Sequence, residues 1–426
     1  MLRRVCIAGG SSLRHARRSF SSVSVDEMRR LDLFNPTEEH AQLRQMLRTF
    51  VESEVDPQAL AFNRREEFNT DLFRKLGSEI GLLGITASTE YGGSGMDATA
   101  AVIAHEELAA SDPAFCLSFL AHSMLFVNNV NQNCSHEQKL KYLPGACDGS
   151  KICGMGMSEP GAGTDVLGMT TTAKKSSDGS HYVLNGNKMW ITNGTINGED
   201  TGDTFLVYAK TSDGRSPGDL SAFLVEKGMP GFSLGSKITD KCGMRASNTA
   251  ELVFDSVQVP VENLVGKEGG AGICMMRNLE IERITLAAMS LGIARRSIEV
   301  MSSYAQERKA FGKTVGDFGQ TQKAIAESYA EYMAGRTYVY NVARKLDLSS
   351  YGNTLDADGV KLYCAPMAKN IADRAIQLLG GNGYVGEYQV ERLWRDAKLI
   401  EIGGGTNEAH HKNMYRDIRK NRDTLF

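Results

Sequence analysis

The stretch Met275–Leu291, MMRNLEIERITLAAMSL, is apolar almost all round when wound as a helix, which places it inside the fold. Met275, Leu279, Glu282, Leu286 and Met289 follow one another at spacings of 4, 3, 4 and 3, so they form one stripe on one face. Four are apolar and the middle one is a carboxylate. Burial disfavours the charged form of a carboxyl and raises its pKa. That is one way to make a general base useful near neutral pH. An ion pair of Glu282 with Arg283, or with a cation from another helix, accounts for the same pattern without catalysis.

Outward from this stretch, the helical texture runs from Gly269 to the end of the chain. The candidate helices are Ile273 to Gln306, Gln320 to Leu348, Ala357 to Leu379, Gln389 to Leu399 and one after Thr406. Long helices with short links point to a four-helix bundle over 269–426. Upstream, 151–262 is rich in short β-type runs separated by Gly, Pro, Asp and Ser. Within it, HYVLNGNKMWITNG (His181 to Gly194) is broken by Asn185-Gly186, a strong hairpin signal. A small antiparallel β-barrel domain is expected there. Residues 35–150 read as helical. Asn35-Pro36-Thr37-Glu38 looks like a start with Asn35 as cap, and Asp71–Ile80, Asp97–Leu108, Phe115–Val130 and Glu137–Leu143 follow. The order is therefore helices, then strands, then helices.

At 426 residues the chain is long enough for two or three domains and a large core. A formal charge of −3 gives no support for nucleic-acid binding. No run of consecutive apolar residues approaches a membrane span, so no transmembrane segment is expected. The first 25 residues carry Arg3, Arg4, Arg14, Arg17, Arg18 and six serines but no acid. That composition reads as a mitochondrial transit peptide over 1–25, or as a basic tail with no targeting role. Eight cysteines without a Cys-x-x-Cys pair give no zinc pattern and no disulfide framework, and no metal is expected.

Several loops could carry chemistry. MSEPGAGTDV (Met157 to Val166) has small residues that let a ligand approach the backbone, with the hydroxyls of Ser158 and Thr164 beside them. It lacks the strand-then-helix setting of a dinucleotide fingerprint. MWITNG (Met189 to Gly194) sets Trp190 where it could flank a planar ring or fill a core. Arg308, in a loop between glycine-broken helices, could meet a phosphate or simply be solvated. Gly380-Gly381 reads as a helix cap. In EIGGGTNEA (Glu401 to Ala409), Thr406 can cap a helix whose free N–H groups suit a phosphate or an oxyanion.

GLLGITASTEYGGSG, MSEPGAGTDV, NGNKMWITNG, CGMRASNTAELVFDSVQVP, ERKAFGKTVGDF, QLLGGNGY and RDAKLIEIGGGTNEA occur in this order from Gly81 to Ala409. Together they resemble the acyl-CoA dehydrogenase family from about Asn35 to the C-terminus. The resemblance implies an all-α N-terminal domain, a middle β-domain and a C-terminal four-helix bundle. It also implies bound FAD, a homotetramer, a mitochondrial matrix location and electron transfer flavoprotein as acceptor. The family's reaction is α,β-dehydrogenation of an acyl-CoA thioester. A carboxylate takes the α-proton while a hydride leaves the β-carbon for the flavin, and aimed donors stabilise the thioester oxygen.

The chain departs from the family at one decisive place. Most members carry the base as Glu in a Tyr-Glu-Gly-Thr motif before the last helix. Here the matching residues are Gly403-Gly404-Gly405-Thr406, so the base position is Gly404. Isovaleryl-CoA dehydrogenases and long-chain members also lack that Glu. They carry the base on the first bundle helix in a Leu-acid-x-Glu-Arg pattern. Leu279-Glu280-Ile281-Glu282-Arg283 matches it, which puts Glu282 at the base position. The Gly404 N–H can still serve the thioester oxygen.

Residue by residue, the resemblance implies that Met155, Met157, Ser158 and Thr164 contact the flavin, with Thr164 also near the substrate. Trp190, Ile191 and Thr192 match the segment against the isoalloxazine ring. Arg308 and Gln377, Leu378, Leu379, Gly380 and Gly381 match contacts made to a neighbouring subunit's cofactor. Thr406, Asn407 and Glu408 match helix-start contacts to FAD. Glu280, Arg283, Gly404 and Gly405 match the substrate side. Many members carry Gln where this chain has Gly319, and Gln320 is the nearest replacement. The missing side chains at Gly404 and Gly405 leave room for a branched acyl group, and the likeness is closer to the isovaleryl-CoA branch. The expected reaction is therefore isovaleryl-CoA to 3-methylcrotonyl-CoA in leucine breakdown. The alternatives are a long-chain or other short-branched acyl-CoA dehydrogenase, an oxidase, or a catalytically silent assembly member of the family. Because the family uses both base positions, moving the acid from Glu282 to Gly404 is expected to recover some activity.

Overall fold

The computed structural model describes residues 32–425, so the expected leader at 1–25 lies outside the described residues. The N-terminal unit is helical: α1 (Glu38–Phe50), α2 (Asp56–Arg65), α3 (Thr70–Ser78), α4 (Ala98–Ala109), α5 (Pro113–Leu120), α6 (Asn129–Asn133) and α7 (His136–Cys147). The cap of α1 is Thr37, whose hydroxyl accepts from the His40 N–H, and not Asn35. Asn35 is used elsewhere, because its side-chain oxygen takes a 2.7 Å bond from Arg44 Nε. A π-helical segment, Ala121–Asn128, joins α5 to α6. The combined helix Pro113–Asn133 is long and apolar enough to cross a membrane by length and composition, yet 89% of its most apolar stretch is buried inside the protein. It is a core helix here.

The middle unit is a sheet of eight strands: β1 (Cys153–Gly156), β2 (Thr172–Lys175), β3 (His181–Thr192), β4 (Thr204–Lys210), β5 (Leu220–Glu226), β6 (Phe232–Lys237), β7 (Thr249–Pro260) and β8 (Leu264–Val265). Its path is β6-β7-β3-β2-β4-β5-β8, open between its two end strands, with β1 beside β4. Most pairings are antiparallel, but β1 and β2 each run parallel to β4. The long connections between them permit this, and no alternation pattern reveals it. Asn185-Gly186 is not a hairpin turn. It lies inside β3 at a register shift against β7, and the Asn185 side chain accepts from the Ser256 N–H at 2.8 Å. A bulge uses the same left-handed freedom of glycine that a turn would use, so the dipeptide alone cannot tell them apart.

The C-terminal unit comprises α8 (Ala271–Glu307), α9 (Gly319–Ala343), α10 (Thr354–Leu379), α11 (Gly381–Tyr384), α12 (Val390–Ile400) and α13 (Asn407–Lys420). The second long helix ends at Ala343, five residues short of the expected Leu348. Helix α8 is the shared element. One apolar core joins Leu47, Phe73 and Phe119 of the N-terminal helices to Ile284, Met289, Val339 and Ile371 of the bundle. At Gly292 the backbones of α8 and α4 meet so closely that a Cβ would sit 2.5 Å from the Glu106 carbonyl.

A buried charge cluster locks the same seam. Glu106 on α4 pairs with Arg44 of α1 at 2.9 Å and Arg336 of α9 at 2.8 Å, and accepts from the Tyr332 hydroxyl at 3.0 Å. Burial raises the Glu106 pKa, but Arg336, Arg44 and Arg295 outweigh it and hold the carboxyl down to about 2. Its contribution to stability is therefore complete above the ordinary value of 4.5 and disappears as pH falls toward about 2. Glu106→Ala strands Arg336 without a carboxylate. It should cost about 3–5 kcal/mol, read as an earlier unfolding transition in urea at neutral pH.

Candidate active site

Helix α8 carries Glu282 into the interior, where the residue is 7% exposed. Among the described residues no donor reaches its carboxylate, and Oε2 is a buried oxygen without a partner. Burial pushes its pKa up to about 7, against the pull of Arg283 and Lys361. The ion pair with Arg283 considered above does not form. Arg283 turns to Asp358 on α10 instead, at 3.0 Å. Along the stripe, Leu286 and Met289 are buried while Met275 and Leu279 are half-buried, so the stripe enters the interior from the N-terminal end of α8.

The glycine loop after α12 comes back to this same point. A side chain starting at Gly404 would place its Cβ 3.4 Å from Glu282 Oε1. The two alternative positions for an acid in this sequence therefore open onto one spot. Glycine is favoured at 404: its φ is +66°, which L side chains rarely adopt, and the same Cβ would lie 2.3 Å from Leu286 Cδ1, a side-chain tip that would have to swing aside. A glutamate moved there carries the strain of that φ and displaces Leu286, which works against the recovery expected from a relocated acid. Gly405 has φ +99°, its carbonyl accepts from Lys361, and the His410 ring lies 3.1 Å from where its Cβ would be.

Glu280 does not join this group. Two residues before Glu282, it leaves the opposite side of the helix. Its Oε1 accepts from the N–H groups of Gly352 and Asn353, at 2.7 and 3.0 Å. It ties α8 to the start of α10, and the substrate contact expected of it has no geometric support. Arg283 is likewise committed to Asp358.

A second set of residues lies on the β-domain. Lys188 on β3 is fully buried and donates to the Met157 carbonyl at 3.1 Å and to Glu159 at 2.8 Å. Glu159 also accepts from the N–H groups of Thr170 and Thr171. This pair fixes both ends of the MSEPGAGTDV loop. Strand alternation carries a signal for it, because Lys188 shares the inward face of Tyr182 and Leu184, but the sequence reading passed over it. Met155 and Ser158 are half-buried, Met157 is buried and Thr164 is exposed. A Cβ added at Gly161 or Gly163 meets nothing within 4 Å.

Trp190 is 55% exposed with φ +61°, while Ile191 beside it is buried and Thr192 half-buried. A bulky residue in the left-handed region is strained, and such strain clusters at ligand sites. Thr406 caps α13, its hydroxyl accepting from the Ala409 N–H. Next to it, Asn407 Oδ1 is buried and unpartnered, and Glu408 is exposed. Arg308 does not converge on Glu282: it is exposed and stands 26 residues on, just past the end of α8, about 39 Å at the rise of a helix. Gln377 is exposed, Leu378 half-buried and Leu379 in the core, and Gly380 ends α10 with φ +62°. Its N–H bonds the Ile376 and Gln377 carbonyls, the cap expected from the sequence.

An open, exposed aromatic at Trp190, free space above Gly161 and Gly163 and an orphaned Asn407 oxygen at a helix start fit a large planar cofactor with polar appendages. Comparisons with known proteins agree. Three family descriptions match in succession: acyl-CoA dehydrogenase N-terminal domain over 37–150, middle domain over 154–257 and C-terminal domain over 269–418. A protein of Pongo abelii named isovaleryl-CoA dehydrogenase, mitochondrial, is 42% identical over 377 residues, 88% of this chain and 87% of that one. The structure of butyryl-CoA dehydrogenase from Megasphaera elsdenii is similar with TM-score 0.85 and 34% identity, over 90% of this chain and 98% of that one. An FAD complex of PigA is similar with TM-score 0.84 and 27% identity, over 90% and 98%. The chain belongs to the acyl-CoA dehydrogenase family and is an FAD-dependent oxidoreductase.

Proposed function

We propose that this chain dehydrogenates isovaleryl-CoA to 3-methylcrotonyl-CoA in leucine breakdown, with Glu282 as the base. The observation that carries the reading is the convergence of Glu282 and Gly404. The family site needs one carboxylate at one point, its usual bearer is a glycine here, and the Glu282 oxygen lies 3.4 Å from where that bearer's Cβ would stand. The carboxylate accepts the α-proton and so must be ionised beforehand. Its burial holds it near neutrality, where a carboxylate is a stronger base than one in water. The Gly404 N–H serves as donor to the thioester oxygen as negative charge grows there. Bound FAD supplies the hydride acceptor. Trp190 and the loop pinned by Glu159 and Lys188 orient the cofactor and exclude water, and Thr406, Asn407 and Glu408 hold it at the start of α13.

The branched substrate is supported by the likeness to the isovaleryl enzyme, while the space a side chain would take at Gly404 and Gly405 is filled by Leu286 and the His410 ring. One methylene in a pocket is worth about 1–3 kcal/mol, so small changes in this lining decide preference. The separation of Arg308 from Glu282 along one chain supports its use by a neighbouring subunit, and the exposure of Gln377 suits the same role; a homotetramer is the proposed assembly. Electron transfer flavoprotein is the proposed acceptor and the mitochondrial matrix the proposed location.

Glu282→Gln should keep FAD bound and lower turnover by about 10²–10⁴-fold, the usual share of a general base. Near-normal turnover would remove Glu282 from the role. In the wild type, kcat/KM should rise with pH as the carboxyl ionises, with a midpoint at about 7. Assayed with a dye acceptor, isovaleryl-CoA should outrun isobutyryl-, butyryl- and palmitoyl-CoA. A preference for palmitoyl-CoA contradicts the substrate assignment.

A further inference from the structure

Lys361 on α10 is fully buried. Its ammonium donates to the carbonyl of Gly405, the residue after the one whose N–H faces the substrate. The same loop comes close to Glu282 at Gly404. A buried ammonium is costly unless it is hydrogen-bonded and faces an opposite charge.

The charges packed around Glu282 sort themselves into pairs. On its own helix Arg283 is bound to Asp358 of α10. His410 of α13 also bonds Asp358, and burial drives its pKa down, so it adds no charge near neutral pH. The Tyr208 hydroxyl on β4 is buried, and burial holds it neutral. Glu401, at the base of the loop, is taken by Lys369 at 3.1 Å and by Lys398. Among the described residues that leaves one cation and one anion in this pocket without an ion-pair partner, Lys361 and Glu282. Each acts on the other: burial brings the lysine's pKa down to about 7 and the carboxylate of Glu282 pulls it back up, while the ammonium lowers the acid's.

We propose that Lys361 is a positioning residue of the reaction: it clamps the glycine loop through the Gly405 carbonyl and keeps a positive charge beside Glu282. Two separable effects follow. The clamp holds the Gly404 N–H where the thioester oxygen needs it. The charge favours ionised Glu282, so the base is ready at lower pH than burial alone would allow. When Glu282 takes the α-proton its charge is cancelled, and the ammonium then lies unbalanced near the negative oxygen of the substrate. That favours the transition state over the ground state.

The inference rests on Glu282 being the base, and two substitutions divide its two effects. Lys361→Gln removes the charge and keeps a donor for the Gly405 carbonyl. Lys361→Met, an apolar chain of similar length, removes both. With FAD content equal to wild type, both should move the acid limb of kcat/KM upward by at least about one pH unit, a tenfold loss below the limb. Lys361→Met should lower the high-pH plateau of kcat about tenfold further than Lys361→Gln does, because it alone also releases the Gly405 carbonyl and with it the alignment of the Gly404 N–H. If Lys361→Met fails to fold, the limb of Lys361→Gln decides. A limb that stays at the wild-type pH while Glu282→Gln is inactive overturns the role of Lys361 and leaves the base intact. A fully active Glu282→Gln overturns both.

Discussion

A carboxylate sunk in an apolar helix face with no hydrogen-bond partner is the constraint on which the rest of this structure depends. Such a group costs several kcal/mol unless it is neutral or faces a countercharge. Glu282 is left in that condition because the arginine beside it on α8 is engaged elsewhere. Arg283 is drawn off by Asp358, and Asp358 is shared with His410. The glycine loop supplies no side chain, only backbone, at the one place where the carboxylate opens outward. Its conformation favours glycine at 404, where φ is +66°. A site of this kind concentrates instability where proton transfer needs it.

Glu106 shows the contrast. It is as deeply buried as Glu282, yet two arginines and two tyrosine hydroxyls surround it, and its proton affinity falls to about 2 instead of rising to about 7. The first carboxyl is permanently charged and knits α1, α4 and α9 together. The second can change protonation state near neutral pH. Two acids of similar burial are thus separated into a structural and a chemical role by their partners alone.

Much of this was legible in the chain. The order of helices, strands and helices followed from periodicity, and Glu282 stood out because it interrupts an apolar stripe. The three glycines then changed its meaning, since they empty the usual base position. What periodicity could not supply were long-range partners. Glu280 and Glu282 look alike in sequence, and only the backbone N–H groups of Gly352 and Asn353 separate them. Asn185-Gly186 has the local chemistry of a turn, but pairing with β7 makes it a bulge. Lys188 and Lys361 read as ordinary charges until their burial is known, because a buried cation is identified by what surrounds it and not by its neighbours in sequence.

The central claim is that Glu282 removes the α-proton, and that step can be followed apart from oxidation. The direct measurement is α-hydrogen exchange of bound isovaleryl-CoA with deuterated water, followed by NMR under conditions without an electron acceptor. Wild-type holoprotein should exchange the α-hydrogen, and Glu282→Gln with full FAD content should not. Exchange at the wild-type rate in Glu282→Gln would contradict the account.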